Sequence, residues 1–241
     1  MSTAALLAVA ASLLITPRLL SMRPGPRPEI HGLLTPAWWL NAAYCGAVHR
    51  LRVVGDDPLP AVGPAILIAN HTSGADVPLL QASVGRVLGF LIAREFYDHK
   101  LIGPMARGLG CIPVRRDGRD LGATRAALRA LEAGRVVPMF PVGKIIADSG
   151  RTLGEGKPGV AFLAERSRVP VYPAYLSGTP PTNNVLRGLL GPSTSTVRLG
   201  PAVDLSDLLD RPGKPDLDAI TARLMAAIAA LKAAGEVEGA G

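Results

Sequence analysis

The chain has 241 residues, which is enough for one large α/β domain with an additional segment. Hydrophobic residues make up 48% of the chain and the mean hydropathy is +0.28, which excludes a largely disordered protein and favours contact with lipid or an apolar ligand. The net charge of +7 suits an anionic partner such as anionic lipid, a phosphate-bearing substrate or nucleic acid.

The first 50 residues are expected to form a separate amphiphilic segment. A nearly continuous apolar run of 12 residues, Ala4–Ile15, is too short to span a bilayer, which takes about 20 residues. A second apolar stretch, Leu33–Val48, contains Trp38 and Trp39, and such side chains favour the headgroup zone of a membrane. We therefore expect residues 1–50 to form membrane-interfacial helices and a basic linker. A helical arm that packs on its own domain is the alternative.

From residue 51 onward, short apolar strands alternate with helices, a pattern typical of a mostly parallel sheet covered by helices on both faces. The predicted strands are Leu51–Val54, Ala65–Ala69, Val87–Ile92, Cys111–Val114, Val136–Phe140, Val169–Tyr175 and Thr196–Leu199. The predicted helices are Asp76–Ser83, Leu101–Leu109, Arg119–Ala133, Gly159–Arg166 and Leu217–Ala234. We expect this α/β domain to span residues 51–235 and a flexible tail to follow at 236–241.

A histidine and an aspartate follow the second predicted strand, Ala65–Ala69. On one continuous helix, His71 and Asp76 would lie about 140° apart around the axis, so they meet only if His71 is in a loop and Asp76 begins the next helix. An imidazole takes a proton near neutral pH and a carboxylate orients it, so the pair predicts a general base. Thr72 or Ser73 is expected to cap the helix. A purely structural histidine is the alternative.

Two further loops carry groups that suit an anion. Arg115 and Arg116 follow one predicted strand, and an arginine fork matches a phosphate group. Gly143 and Lys144 lie in a tight turn after another strand, where backbone N–H groups could face an anion. Because ligands bind at the carboxyl ends of parallel strands, we expect these loops and His71 to build one site. A solvated arginine pair and a simple turn are the alternatives.

Other chemistries lack their signatures in this sequence. It contains no Gly-x-Ser-x-Gly nucleophile elbow, no phosphate-binding P-loop and no clustered metal ligands, and no cofactor is expected. The two cysteines, Cys45 and Cys111, are far apart and indicate free thiols in a reducing compartment, with one disulfide left open. Basic residues are not interleaved with aromatic ones, which disfavours a nucleic-acid-binding module.

Taken in order, these segments resemble the glycerolipid (lysophospholipid) acyltransferase family, typified by acyl-glycerol-phosphate acyltransferases. The family's first motif is His-x-x-x-x-Asp, here His71 to Asp76. Its second motif ends in an arginine after a glycine and an apolar strand, and Gly110–Arg116 is similar to it. Its fourth motif, an apolar-Pro-apolar-x-Pro strand, matches Val169–Pro173.

The third motif departs from the family pattern. The family usually has Phe-Pro-Glu-Gly-Thr-Arg, whereas this chain has Phe-Pro-Val-Gly-Lys-Ile at Phe140–Ile145. In the family this segment is implicated in holding the acceptor, and its arginine favours the acceptor's phosphate. Val142 cannot accept a hydrogen bond or balance a cation. Lys144, or Arg151 in the downstream loop, is the expected substitute for the missing positive charge.

The resemblance implies transfer of a fatty acyl group from acyl-CoA or acyl-carrier protein to a lipid hydroxyl, with 1-acylglycerol-3-phosphate as the default acceptor. It implies that His71 is the general base, that Asp76 orients it, and that Arg116 binds the headgroup anion. The thioester donor and the free thiols favour the inner face of the cytoplasmic membrane. The alternatives are a different lipid acceptor and a catalytically weak acyl-lipid- or membrane-binding protein on the same scaffold.

Overall fold

The computed structural model describes residues 34–100, 102–115, 120–145, 152–182 and 184–239. The strands in these ranges are β1 (Arg52–Val54), β2 (Ala65–Ala69), β3 (Leu91–Ala93), β4 (Ile112–Val114), β5 (Val136–Met139), β6 (Val171–Ser177) and β7 (Thr196–Leu199). The helices are α1 (Leu34–Val48), α2 (Asp76–Ser83), α3 (Arg94–Tyr97), α4 (Ile102–Gly108), α5 (Leu121–Glu132), α6 (Gly159–Ser167), α7 (Val185–Leu190), α8 (Ser206–Leu209) and α9 (Leu217–Gly239).

The main sheet has the strand order β1-β7-β6-β2-β5. Strand β2 pairs in parallel with β5 on one side and with β6 on the other, and β1 pairs in parallel with β7. Only the β6–β7 pair is antiparallel among the described strands. The predicted class, a mostly parallel sheet flanked by helices, is therefore confirmed.

The central strand β2 explains why the core has two layers. All five of its residues are apolar and buried. Successive side chains point to opposite faces of a strand, and Leu67 accordingly joins the core layer beneath α1 and α2 while Ile66 and Ile68 join the layer beneath α5, α6 and α9. Burial on both faces holds β2 in place, so the loop after Ala69 starts from a rigid point.

Strands β3 and β4 form a small parallel pair beside the main sheet. Leu88, just before β3, makes a parallel bridge with Val136 of β5. The strand predicted at Val87–Ile92 therefore has two parts, because Leu88 contacts β5 and only the residues from Leu91 onward pair with β4. This arrangement brings the carboxyl ends of β2, β4 and β5 to the same edge.

Helix α1 packs on the α/β domain. Ala42 and Cys45 are fully buried, and the Asn41 side-chain amide donates to the Pro78 carbonyl of α2 at 2.9 Å. In contrast, Trp39 and Leu40 are 46% and 72% exposed. The alternative of an arm packed on its own domain thus describes the part of the N-terminal segment that the structure includes. The predicted segment before residue 34 lies outside the described residues.

Some element boundaries differ from the sequence-based expectation. Helix α9 continues to Gly239, so the expected flexible tail is helical over most of its length. An ion pair lies at this end of the helix: both terminal nitrogens of Arg198 on β7 donate to the Glu238 carboxylate, at 2.8 and 3.1 Å. None of the helices in the described part of the chain is long and apolar enough to cross a bilayer.

Candidate active site

The site begins where β2 ends, and Asn70 fixes this point. Its side-chain amide donates to the Leu176 carbonyl of β6 at 2.8 Å, and its side-chain oxygen accepts from the Leu176 N–H at 2.8 Å. Through these two bonds, the Asn70 side chain extends the pairing of β2 with β6 by one step beyond the last residue of β2. His71, the next residue, leaves the sheet from a fixed position.

His71 and Asp76 meet as the spacing predicts. The His71 Nδ1 and the Asp76 Oδ2 are 2.8 Å apart. Asp76 is the first residue of α2 and is fully buried, while the His71 side chain is 18% exposed. A carboxylate only accepts hydrogen bonds, so Nδ1 carries the ring proton and the lone pair lies on Nε2. The pair therefore presents a basic nitrogen from a histidine that solvent reaches.

The loop around His71 is organised by the Asp76 carboxylate. Its Oδ2 accepts from the backbone N–H groups of Thr72 at 2.6 Å and Ser73 at 2.9 Å, and its Oδ1 accepts from the Thr72 hydroxyl at 3.2 Å. The Thr72 hydroxyl oxygen also accepts a hydrogen bond from Thr179, two residues after β6. The buried carboxylate thus accepts hydrogen bonds from His71, Thr72 and Ser73, which fix its orientation.

The N-cap position of α2 lies after Thr72 and Ser73, the residues expected to cap the helix, but the Ser73 hydroxyl still accepts from the Ala75 N–H at 3.3 Å in the turn that leads into α2. The N-cap position is Ala75, which makes no side-chain cap. The backbone N–H groups of Thr72 and Ser73 are bound by the Asp76 carboxylate. The acidic side chain near the N-terminus also interacts favourably with the helix dipole.

One face of the His71 ring is covered by Phe140. The two rings are stacked, with centroids 4.0 Å apart and planes 9° apart, and Phe90 lies 6.3 Å behind Phe140. Phe140 follows β5, the neighbour of β2, and it opens the third motif. Phe140 therefore limits access to one face of the His71 imidazole.

The third motif is a tight turn directly beyond Phe140. The Gly143 N–H donates to the Phe140 carbonyl at 2.8 Å, and Gly143 has φ +76°, a conformation that favours glycine. Val142, in place of the family's glutamate, is buried and 8% exposed. Lys144 is exposed. Phe140 therefore contacts both residues: its carbonyl accepts from Gly143, and its ring stacks on His71.

The arginines predicted from the sequence are not all visible at the site. Arg115 follows β4 at the same edge of the sheet, but its side chain is 63% exposed and its Nε lies 3.9 Å from Asp120. Its backbone N–H donates to the Asp120 carboxylate, which also caps α5, and these bonds lower the pKa of Asp120. Arg116 and Arg151 lie outside the described residues.

Two features of the site were not predicted as contacts. The stacking of Phe140 on His71 joins residues that are far apart in the sequence, and the only signal was that both follow apolar strands. The contact of Thr179 with the His71 loop has no local sequence signal. Within the described ranges, no group of three or more His, Cys, Asp or Glu side chains is arranged to hold a metal ion.

Comparison with protein-family models assigns the chain to a family. The family model described as Acyltransferase matches residues 50–177, which is more than half of the chain and contains both His71 and Asp76. The chain belongs to the acyltransferase family. The resemblance that the motifs indicated is confirmed, and residues 50–177 form an acyltransferase domain.

Individual relatives agree with this assignment. A 1-acyl-sn-glycerol-3-phosphate acyltransferase of Bacillus subtilis is 23% identical over 178 residues, 72% of this chain and 84% of that protein. A lyso-ornithine lipid O-acyltransferase of Pseudomonas aeruginosa is 35% identical over 108 residues, 44% of this chain and 40% of that protein. An uncharacterized protein of Mycobacterium tuberculosis is 28% identical over 143 residues, 54% of this chain and 38% of that protein.

The fold also has a solved counterpart. The crystal structure of the 1-acyl-sn-glycerophosphate acyltransferase PlsC from Thermotoga maritima superposes with a TM-score of 0.67, covering 84% of this chain and 80% of that one. The sequence identity is 20%, so this likeness shows the fold alone. The acyltransferase domain spans less than half the length of several curated relatives that it matches.

Proposed function

We propose that this acyltransferase moves a fatty acyl group from a thioester donor, acyl-CoA or acyl-carrier protein, to the hydroxyl of a lysophospholipid. The observation that carries the proposal is the His71–Asp76 pair, 2.8 Å apart, with a buried carboxylate and an accessible imidazole. A buried carboxylate that orients an accessible imidazole is the arrangement that a general base requires.

In the proposed reaction, the Nε2 of His71 takes the proton from the acceptor hydroxyl as the hydroxyl oxygen attacks the thioester carbonyl. Asp76 keeps the other ring proton on Nδ1 and stabilises the imidazolium that forms. The thiolate of the donor then leaves with the proton that His71 has taken. The ester forms directly, so the protein itself need not become acylated.

The acceptor is proposed from two considerations. The named relatives act on lysolipid acceptors, a 1-acyl-sn-glycerol-3-phosphate in Bacillus subtilis and a lyso-ornithine lipid in Pseudomonas aeruginosa. The third motif of this chain has Val142 in place of the family's glutamate, and that side chain is buried. We therefore propose 1-acylglycerol-3-phosphate as the first acceptor to test and a lyso-ornithine lipid as the second.

We propose that the enzyme acts at a membrane surface, where its lipid acceptor resides, and at the inner face of the cytoplasmic membrane, where a thioester donor is found. Exposed apolar side chains support the first part of this proposal. Helix α7 carries Leu186 and Leu190 on one side, 65% and 67% exposed. Its Gly188 packs against Ser73 in the His71 loop. The hydroxyl of Tyr44 on α1 donates to the Leu189 carbonyl at 2.6 Å, which fastens α7 to α1.

The test is release of free thiol from palmitoyl-CoA and from an acyl-carrier-protein donor, in detergent micelles with each acceptor in turn. Wild type is measured beside His71→Ala. Acceptor-dependent release that disappears in the variant supports the proposal and names the acceptor. Folded wild-type protein that binds lysolipid but releases no thiol with either donor would instead favour a lipid-binding role.

A further inference from the structure

The third motif has lost the arginine that the family places there, so the cation for an anionic acceptor must come from elsewhere. Ile145 stands at the arginine's position. The expected substitutes were Lys144, inside the turn, and Arg151. Another lysine, Lys157, is the one whose side chain lies against the turn.

Lys157 is attached to the turn at two points. Its backbone N–H donates to the Pro141 carbonyl at 2.9 Å. Its side chain lies flat over the α-carbon of Gly143: a Cβ atom added there would be 3.3 Å from Nζ and 3.5 Å from Cδ of the lysine. The Lys157 side chain therefore packs over Gly143, with its ammonium group beside the turn.

The turn connects this ammonium group to the catalytic base. The Gly143 N–H closes the turn on the Phe140 carbonyl, and such turns bring their first and last α-carbons within about 7 Å. The Phe140 ring is stacked on the His71 ring. In 1-acylglycerol-3-phosphate the phosphate is carried on the carbon next to the one with the reacting hydroxyl, so base and cation must lie close together.

The charge of Lys157 is available for a ligand. The residue is exposed, and the ion pairs found among the described residues do not include it. Lysine is an established phosphate ligand that acts as a point charge, without the fixed fork of arginine. The third motif lacks both the glutamate and the arginine of the family, and the single, flexible charge of Lys157 is the one that lies beside it.

We infer that Lys157 binds the anionic headgroup of the acceptor and sets the preference for a charged acceptor over an uncharged one. This inference rests on the proposed function and deepens it. A lysine that only covers Gly143 would contribute to packing, and its loss would affect charged and uncharged acceptors alike.

The experiment compares Lys157→Ala and Lys157→Arg with a matched control, Lys214→Ala, an exposed lysine in the loop between α8 and α9. A charge-assisted hydrogen bond corresponds to roughly a tenfold or greater change in binding. We expect Lys157→Ala to raise the KM for 1-acylglycerol-3-phosphate about tenfold or more, with little change in kcat or in the KM for the thioester donor. The values for monoacylglycerol should stay within about twofold, and Lys157→Arg should restore most of the loss.

Two outcomes of this kinetic comparison would overturn the inference. One is equal loss with the charged and the uncharged acceptor. The other is a rise in KM for Lys144→Ala or Arg151→Ala while Lys157→Ala behaves like wild type.

A binding measurement separates this inference from the proposed function. The His71→Ala protein is titrated with micelles containing 1-acylglycerol-3-phosphate or monoacylglycerol at low and high salt, with and without Lys157→Ala. We expect a salt-sensitive preference for the phosphate lipid that Lys157→Ala removes, even if wild type transfers no acyl group. A preference that survives Lys157→Ala, or no preference at all, refutes the role of Lys157.

Discussion

Replacement of Asp76 by asparagine tests the proposed mechanism with little change in shape. Asparagine has the same size, and its side-chain oxygen in place of Oδ2 still accepts from His71, Thr72 and Ser73, which are 2.6 to 2.9 Å away in wild type. The side-chain nitrogen takes the place of Oδ1, and the Thr72 hydroxyl must then reorient to accept from it. The principal loss is therefore the negative charge.

The effect on the rate follows from the position of that charge. When His71 becomes an imidazolium, its positive charge is centred about 4 Å from the Asp76 carboxylate, and at an effective dielectric constant of about 20 this attraction is worth about 4 kcal/mol. The asparagine dipole retains part of it. A loss of about 3–4 kcal/mol in the transition state lowers kcat by roughly 10²–10³. Because neither substrate touches Asp76 in the mechanism, KM should change little.

The assay is thiol release with saturating donor and acceptor, beside wild type and His71→Ala. Circular dichroism and the melting temperature establish that Asp76→Asn is folded. The reasoning is refuted if Asp76→Asn retains more than about a tenth of the wild-type kcat, or if it raises the KM for either substrate without lowering kcat. Asp76→Ala is expected to be less stable than Asp76→Asn, because it leaves the buried N–H groups of Thr72 and Ser73 without an acceptor.

Three further predictions concern other parts of the molecule. Phe140→Ala should lower kcat/KM about tenfold or more, because the His71 ring loses the stacked partner that fixes its plane, whereas Phe140→Leu should retain more activity. Burial lowers the pKa of His49, so in acid the unfolded chain binds more protons than the folded protein. The melting temperature should therefore decrease as the pH falls below about 6.5, and this decrease should be smaller in His49→Gln. The double change Leu186→Ser and Leu190→Ser should weaken binding to anionic vesicles about tenfold or more in co-sedimentation, while thiol release from micelles changes less.

Each of these has a result that contradicts it. Equal activity of Phe140→Ala and wild type would show that the ring has no orienting role. A His49→Gln protein with the same acid sensitivity as wild type would assign that sensitivity to another group. Val62→Ser, which changes a 75% exposed valine in a distant loop, is the control for the leucines, and an equal loss of vesicle binding in this control would remove α7 from the membrane proposal.

Local sequence patterns predicted much of the fold. Strand β2 has the predicted boundaries because Ala65–Ala69 is a continuous apolar run between Pro64 and Asn70, and a fully buried strand needs such a run. Helix α2 begins at Asp76 as the His71–Asp76 spacing requires. Periodicity and spacing act over a few residues, and these elements depend on little else.

The features that were not predicted depend on contacts between residues far apart in the sequence. Strand β6 pairs with β7 in an antiparallel direction, and no local sequence pattern indicates this partner or this direction. Helix α7 has only six residues and contains Gly188, so it has no usable period, and its position is fixed by packing on Ser73 and Gly74. Lys157 meets Gly143 across a segment of chain whose course the sequence does not reveal. The candidate base was therefore predictable, and the candidate cation was not.

The side-chain rung made by Asn70 has a consequence for how this enzyme can vary. An amide side chain both donates to and accepts from Leu176, so aspartate, which has the same shape, would set one oxygen against the Leu176 carbonyl. Spontaneous deamidation of Asn70 would replace its amide by a carboxylate, as aspartate or isoaspartate, without any mutation. It would loosen the start of the His71 loop while His71, Asp76 and Phe140 all remained present. An aged preparation of this protein would thus lose activity with its proposed catalytic residues chemically intact.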